Sequence, residues 1–390
     1  MMAGKRSIFE EVSDTGPKGP EVKAGGIDAK PKGARNGIRL WLVALFLLVV
    51  AMIVVGGLTR LTDSGLSITE WNLVFGTLPP LSEADWASEF AKYQASPEFK
   101  LVNSAMGLEE FKTIYWWEWA HRFLGRFIGL VWAVGFLGFL LARAIPAGWT
   151  GRLLTVGALG GLQGAIGWWM VSSGLKGDMV DVASYRLATH LGLAFVILGV
   201  IGWYVLLLGR SEVELMTSRR GREAKLYSFS TGLMHFAFLQ IVLGALVAGI
   251  DAGRAYPTWP LMNGDFFPAD AFFVSDGNGG SLPVWHAFFE NPGLVQFIHR
   301  MSGYLLVIFG VVVWLKGRRS AYQATARAYH AVMAMLLAQM TLGIYAALTA
   351  AQVHVAITHQ IGAVILWVLI LRARHLSLYP VAGSIREGTA

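Results

Sequence analysis

Eight apolar stretches, each close to the roughly 20 residues that a bilayer core demands, constrain this chain more than any other feature. They run Ile38–Gly56, Trp117–Leu141, Leu153–Val171, Leu187–Leu208, Leu226–Ile250, Phe297–Leu315, Ala328–Ala350 and Val353–Leu371. In lipid, backbone polar groups must be satisfied internally, so such stretches are helices. The expected fold class is therefore all-α integral membrane, with eight transmembrane helices. Composition agrees: 55% of the 390 residues are hydrophobic and 15% charged, against about 25% charged in a soluble domain. Cysteine is absent, which excludes disulfides, iron–sulfur clusters and thiol catalysis.

The net charge of +7 invites a nucleic-acid reading, but the charges are sorted by side. With the N-terminus inside, the inner segments hold 22 Lys and Arg and the outer loops 7. That bias is the positive-inside signal and puts both termini in the cytoplasm. Most of the charge needs no nucleic-acid partner. Residues 1–37 contain Pro17, Pro20, Pro31 and seven glycines, the composition of a disordered tail, and 373–390 form a second cytoplasmic tail.

The chain is also duplicated. Gly56, Asp63, Gly65 and Trp71 recur as Gly244, Asp251, Gly253 and Trp259. His121-Arg122 recurs as His299-Arg300, Thr189-His190 as Thr358-His359, and Gln163…Gly167 as Gln339…Gly343. Each copy holds four spans, so the copies share one orientation. The expected architecture is two parallel-repeat four-helix bundles, 38–210 and 226–372.

Four histidines, His121, His190, His299 and His359, open the even-numbered spans and so lie near the outer face. Ionisable groups at membrane depth are costly and usually functional. Two facing imidazoles in a bundle can hold one metal centre, and with no cysteine and few intramembrane acids bis-histidine haem fits best. Arg122 and Arg300 follow two of them. Their guanidinium forks suit haem propionates; snorkelling to lipid phosphate is the alternative. His235 has no matching partner and reads as structural.

The copies differ at one informative position. Glu118 stands one helical turn before His121, where Gln296 stands before His299. A glutamate can transfer a proton or stabilise a cation; a glutamine can do neither. The N-terminal half therefore reads as reactive and the C-terminal half as a haem holder, unless Glu118 is only an interfacial acid. Outer loops 57–116 and 251–296 are long enough to be lids. Ser82-Glu83-Ala84-Asp85 predicts a helix start, with Trp86, Phe90 and Tyr93 on one packing face.

Gly56-Gly57-Leu58-Thr59-Arg60-Leu61-Thr62-Asp63-Ser64-Gly65-Leu66-Ser67, then Glu70-Trp71, closely resembles the haem A synthase family. So do Glu118-Trp119-Ala120-His121-Arg122, Phe297-Ile298-His299-Arg300 and Ala188-Thr189-His190. The resemblance covers about residues 38–372, and the missing cysteine pair is similar to the alphaproteobacterial and mitochondrial branch. It implies oxidation of the C8 methyl of haem O to a formyl group, by successive hydroxylations, giving haem A for haem-copper oxidases. It also implies a haem B cofactor on His299 and His359, substrate haem at His121 and His190, and Glu118 as the catalytic group. The implied partners are haem O synthase, the haem-copper oxidase assembly machinery and an electron acceptor or donor. The implied location is the bacterial inner membrane, and a homo-oligomer is permitted. Two other classes fit part of the pattern. A bis-histidine b-type cytochrome explains four histidines but not Glu118 against Gln296. A transporter explains the duplication, but its site would lie near the midplane on broken helices.

Overall fold

A computed structural model describes residues 32–384, apart from 73, 74, 176, 178 and 278. Most of the expected N-terminal tail, and residues 385–390 of the C-terminal one, lie outside the described residues. In chain order the helices are α1 (Lys32–Leu61), α2 (Glu83–Gln94), α3 (Pro97–Leu101), α4 (Leu108–Leu141), α5 (Thr150–Gly174), α6 (Ser184–Leu208) and α7 (Glu212–Arg220). Then follow α8 (Ala224–Gly249), α9 (Ala252–Ala255), α10 (Ala287–Glu290), α11 (Pro292–Gly317), α12 (Gln323–Leu348) and α13 (Val353–Leu378). Only isolated bridges, and no strands, form among the described residues. Eight of the helices are long and apolar enough to cross a bilayer, making this a multi-pass membrane protein.

Helices α4 and α1 start furthest ahead of the stretches that hydropathy predicts, for the same physical reason. Helix α4 begins at Leu108 rather than Trp117, because its first turns lie against protein instead of lipid. Phe111 and Tyr115 there are buried beneath Trp86, Phe90 and Tyr93 of α2. The Trp86–Tyr115 centroids are 5.0 Å apart, and Tyr93 stacks on Phe111 at 5.2 Å. The aromatic stripe of α2 is thus a packing face, as its spacing predicts. Helix α1 begins at Lys32 rather than Ile38, and its polar first turns are anchored by Arg35. That guanidinium donates to the carbonyls of Leu207 and Arg210, and pairs with Glu212. It thereby adds a donor to the Leu207 carbonyl at the end of α6 and meets the Arg210 carbonyl just beyond it, where helical donors run out.

Helix starts follow their capping residues. Ser82, Ser96, Ser211 and Asn291 each accept the backbone N–H three residues on, relieving orphan donors. Ser82 and Asp85 complete a reciprocal capping box. Helices α1, α4, α5 and α6 pack in a ring, and so do α8, α11, α12 and α13. Helices α1, α6, α8 and α13 meet along a seam between these sets. Trp367 of α13 fills it, lying against Phe195 of α6 and Phe238 of α8. Gln360 crosses it, donating from Nε2 to the Ile53 carbonyl at 2.6 Å.

Candidate functional site

The four histidines fall into two facing pairs, one in each set of helices. His190, His299 and His359 lie within about two turns of the start of α6, α11 and α13. His121 sits deeper in α4, because that helix is extended at its start. The rings of His121 and His190 have centroids 6.4 Å apart at an interplanar angle of 66°. His299 and His359 stand close enough to interact electrostatically. All four rings are partly buried.

A glycine on a neighbouring helix lies behind every ring. A Cβ built on Gly56 would stand 3.0 Å from His121, on Gly167 2.8 Å from His190, and on Gly244 or Gly343 3.0 Å from His299 or His359. Three of the histidines are also anchored by a glutamine. Gln163, Gln240 and Gln339 donate to the backbone carbonyls of His190, His299 and His359, at 3.0, 2.9 and 2.7 Å. His121 lacks this anchor, since Met52 occupies the place that corresponds to Gln240. The recurrence of these glycines, and of Gln163 with Gln339, is the sequence signal for this shell. Gln240 has no counterpart in the first copy, so the repeat could not reveal it.

Glu118 is 2% exposed and fully satisfied. One oxygen accepts from Ser67 Oγ and the Ile68 backbone N–H, both at 2.7 Å. The other accepts from Arg122 Nε at 3.0 Å and Nη2 at 2.6 Å. The Gly56–Trp71 segment is therefore folded so that its turn clamps the carboxylate. Arg122 also donates to the carbonyls of Glu70 and Ile68. Expected to face a propionate, Arg122 is largely spent on Glu118 and this loop. Beside it a cleft of about 350 Å³ opens between the loop, α2 and α4, with Glu70, Lys92, Tyr115 and Arg126 among its walls.

The C-terminal half is built differently at the matching place. Gln296 is 3% exposed, and its Oε1 is buried with no partner among the described residues. Arg300 donates from Nη2 to the Tyr256 carbonyl at 2.8 Å, and its Nη1 is buried without a partner among the described residues. Nδ1 of His359 is likewise unpaired. Buried donors left open cost free energy unless another group meets them.

These features fit a planar macrocycle with a central metal. Two metal–imidazole bonds of about 2 Å each span a gap like that between His121 and His190. The glycines leave the rings room to align, and Arg300 offers an unfilled donor to an anionic edge. His235 instead bonds the Thr231 carbonyl through Nδ1 at 2.8 Å, one turn back on its own helix. That bond agrees with a structural role.

Known proteins match the chain along nearly its whole length. The family model described as cytochrome oxidase assembly protein, COX15-CtaA, matches residues 39–371. The chain belongs to this family. Among its relatives, one from Cereibacter sphaeroides is 62% identical over the full length of both chains. One from Ruegeria is 63% identical over 98% of this chain and 99% of its own. One from Paracoccus denitrificans is 60% identical over 98% of each. Each of the three is named haem A synthase.

Proposed function

We propose that this protein is a haem A synthase, an oxidoreductase that converts the C8 methyl of haem O to a formyl group by successive hydroxylations. The observation that carries the reading is the contrast between the two histidine pairs. A clamped, buried carboxylate stands one turn from His121, and a neutral amide, Gln296, stands one turn from His299. Full-length identity to proteins of that name supports it. So do helix contacts that run alike in the two sets, which favour two parallel four-helix halves.

In this reading His299 and His359 hold a resident haem B, and Arg300 meets its propionates. Haem B, when bound, supplies a one-electron redox centre. His121 and His190 bind the substrate haem. Ser67, Ile68 and Arg122 fix Glu118 near the edge of that substrate, where a preorganised carboxylate stabilises positive charge as it develops or accepts a proton. Arg122 positions Glu118 and contributes less to propionate binding than Arg300 does. The protein lies in the bacterial inner membrane with both termini cytoplasmic, and its product serves haem-copper oxidases.

The test is extraction and mass identification of haems from cells carrying Glu118→Gln, which makes the N-terminal half imitate the C-terminal one. Haem B and haem O should be retained while haem A falls about 100–1000-fold, the range for loss of one preorganised group. Wild-type haem A levels would reduce Glu118 to an interfacial acid. If the wild-type protein carries haem B alone, the chain is an electron-transfer cytochrome. His359→Ala should lose the low-spin haem B spectrum; full haem B content would sink that assignment.

A further inference from the structure

Met52 on α1 and Gln240 on α8 hold the same place in the two sets of helices. A Cβ built on Gly125, one turn beyond His121, would stand 3.5 Å from Met52 Cε. One built on Gly303, one turn beyond His299, would stand 3.2 Å from Gln240 Nε2. Both side chains are unbranched and of similar reach, so they differ at that place in chemistry rather than in shape. An amide offers donors and an acceptor, whereas a thioether offers only a weak acceptor.

The amide's part is visible at three histidines. Gln163, Gln240 and Gln339 each donate from Nε2 to the backbone carbonyl of a histidine on a neighbouring helix. A carbonyl only accepts, so this bond fixes which end of each amide is nitrogen and leaves Oε1 over. Oε1 of all three is buried with no hydrogen-bond partner among the described residues. The amides also lie against the rings. Nε2 of Gln163 is 3.2 Å from Nδ1 of His190, and Nε2 of Gln240 is 3.1 Å from Nδ1 of His299. At His359 the ring's own Nδ1 is buried without a partner among the described residues.

An imidazole that binds iron through one nitrogen carries its proton on the other, and that N–H needs an acceptor. Each glutamine thus keeps a buried acceptor beside a ring that gains a donor on ligation. Three unpaired acceptors are costly unless ligation fills them. His121 instead faces Met52, which has no donor for its carbonyl and only a weak acceptor for its ring.

Resting on the functional reading above, we propose that Met52 makes the haem of the first pair exchangeable. The three glutamines hold His190, His299 and His359 in place as ligands, and Met52 leaves His121 as the ligand that lets go. Substrate haem O enters, and product leaves, by way of the iron–His121 bond, with His190 as the firm side. The second pair is held on both sides and keeps its haem. The step is ligand dissociation alone: the imidazole leaves with its electron pair, and the iron keeps its oxidation state.

Transfer of haem from the purified full-length protein, loaded with haem B and haem O, to excess apomyoglobin tests this by absorbance. Wild type should release haem in two phases, haem O fast and haem B slowly. Met52→Gln should slow the fast phase about 10–100-fold, the range for a partner that orients a metal-bound histidine. Gln240→Met should speed the slow phase by a similar factor. Met52→Leu supplies no amide and should not slow the fast phase. A general loosening of the helices would speed both phases, so a single phase that slows marks the amide.

The proposal is overturned if wild type releases both haems at one rate, or if Met52→Gln leaves the fast phase unchanged. It is also overturned if Met52→Leu slows that phase as much, since shape would then be responsible. Should Met52→Gln fail to fold, Gln240→Met decides, and an unchanged slow phase there overturns the proposal. Release is read without turnover. Unmoved rates in a protein that still makes haem A sink this proposal alone, and the expected shifts in a protein that makes none sink the functional reading.

Discussion

Gly167 shows how tightly single residues set the histidine rings. Replacing glycine by alanine inside a helix ordinarily stabilises it, by about 0.5–1 kcal/mol. Here the new methyl would stand 2.8 Å from His190, so the ring must move. Gly167→Ala should therefore melt no earlier than wild type without haem, yet bind substrate haem more weakly. Thermal unfolding and a haem titration measure the two effects separately, and unchanged haem affinity would refute the packing argument. The histidines, and the contrast of Glu118 with Gln296, are legible in the sequence because duplication displays them twice. The Glu118–Arg122 pair is legible as an i, i+4 spacing, yet spacing alone leaves Arg122 free for a propionate. What assigns Arg122 is a turn that brings Ser67 and Ile68 over α4, a contact between residues some fifty positions apart.

At the scale of elements, the capping box of α2 is a compact test of the loop that covers α4. Ser82→Ala removes the acceptor for Asp85 N–H and should cost the helix about 1 kcal/mol. Hydrogen exchange across 83–94 should rise while the membrane helices stay protected; uniform protection would show that aromatic packing alone holds α2. The box also depends on pH. Bonds from Ser82 hold the Asp85 carboxyl below its usual range. Its contribution is complete above the ordinary carboxylate range and is lost as pH falls through the lowered value, so the protection of α2 relative to an unfolded chain at the same pH should fall only in acid. Helix existence is readable from apolar runs, but the starts of α1 and α4 are not. Hydropathy reports the segment that lies in lipid, whereas Arg35 and Phe111 extend those helices by contacts with protein.

Over the whole molecule, the two sets of helices are joined at one end by charge. Arg60 pairs with Asp63 at 2.7 Å and Asp251 at 2.9 Å, and lies 3.8 Å from Asp181. Its side chain is 12% exposed, whereas the three carboxylates are a third to a half exposed. Arg60→Gln would leave these acids with only the more exposed Arg254, which lies 3.6 Å from Asp251 and 4.0 Å from Asp63. The expected loss is below the roughly 3–5 kcal/mol of a fully buried pair, since water screens the acids. Melting in detergent should fall, and added salt should recover part of it. A loss unaffected by salt would point to packing of the Arg60 stem instead.

Among the described residues, the bond from Gln360 to Ile53 has no mate across the seam. Gln360 follows His359, but the residue after His190 is Leu191. Arg60 is equally solitary, with Ala248 at the corresponding position. Two copies of the N-terminal half would therefore meet with leucines where an amide donor is needed, and two copies of the C-terminal half would lack the central cation. On the two-half reading proposed above, the two sets of helices are unlike partners that fit each other better than copies of themselves. A chain cut at Gly221 and expressed as two fragments should reassemble as a one-to-one heterodimer, with neither fragment forming a stable homodimer.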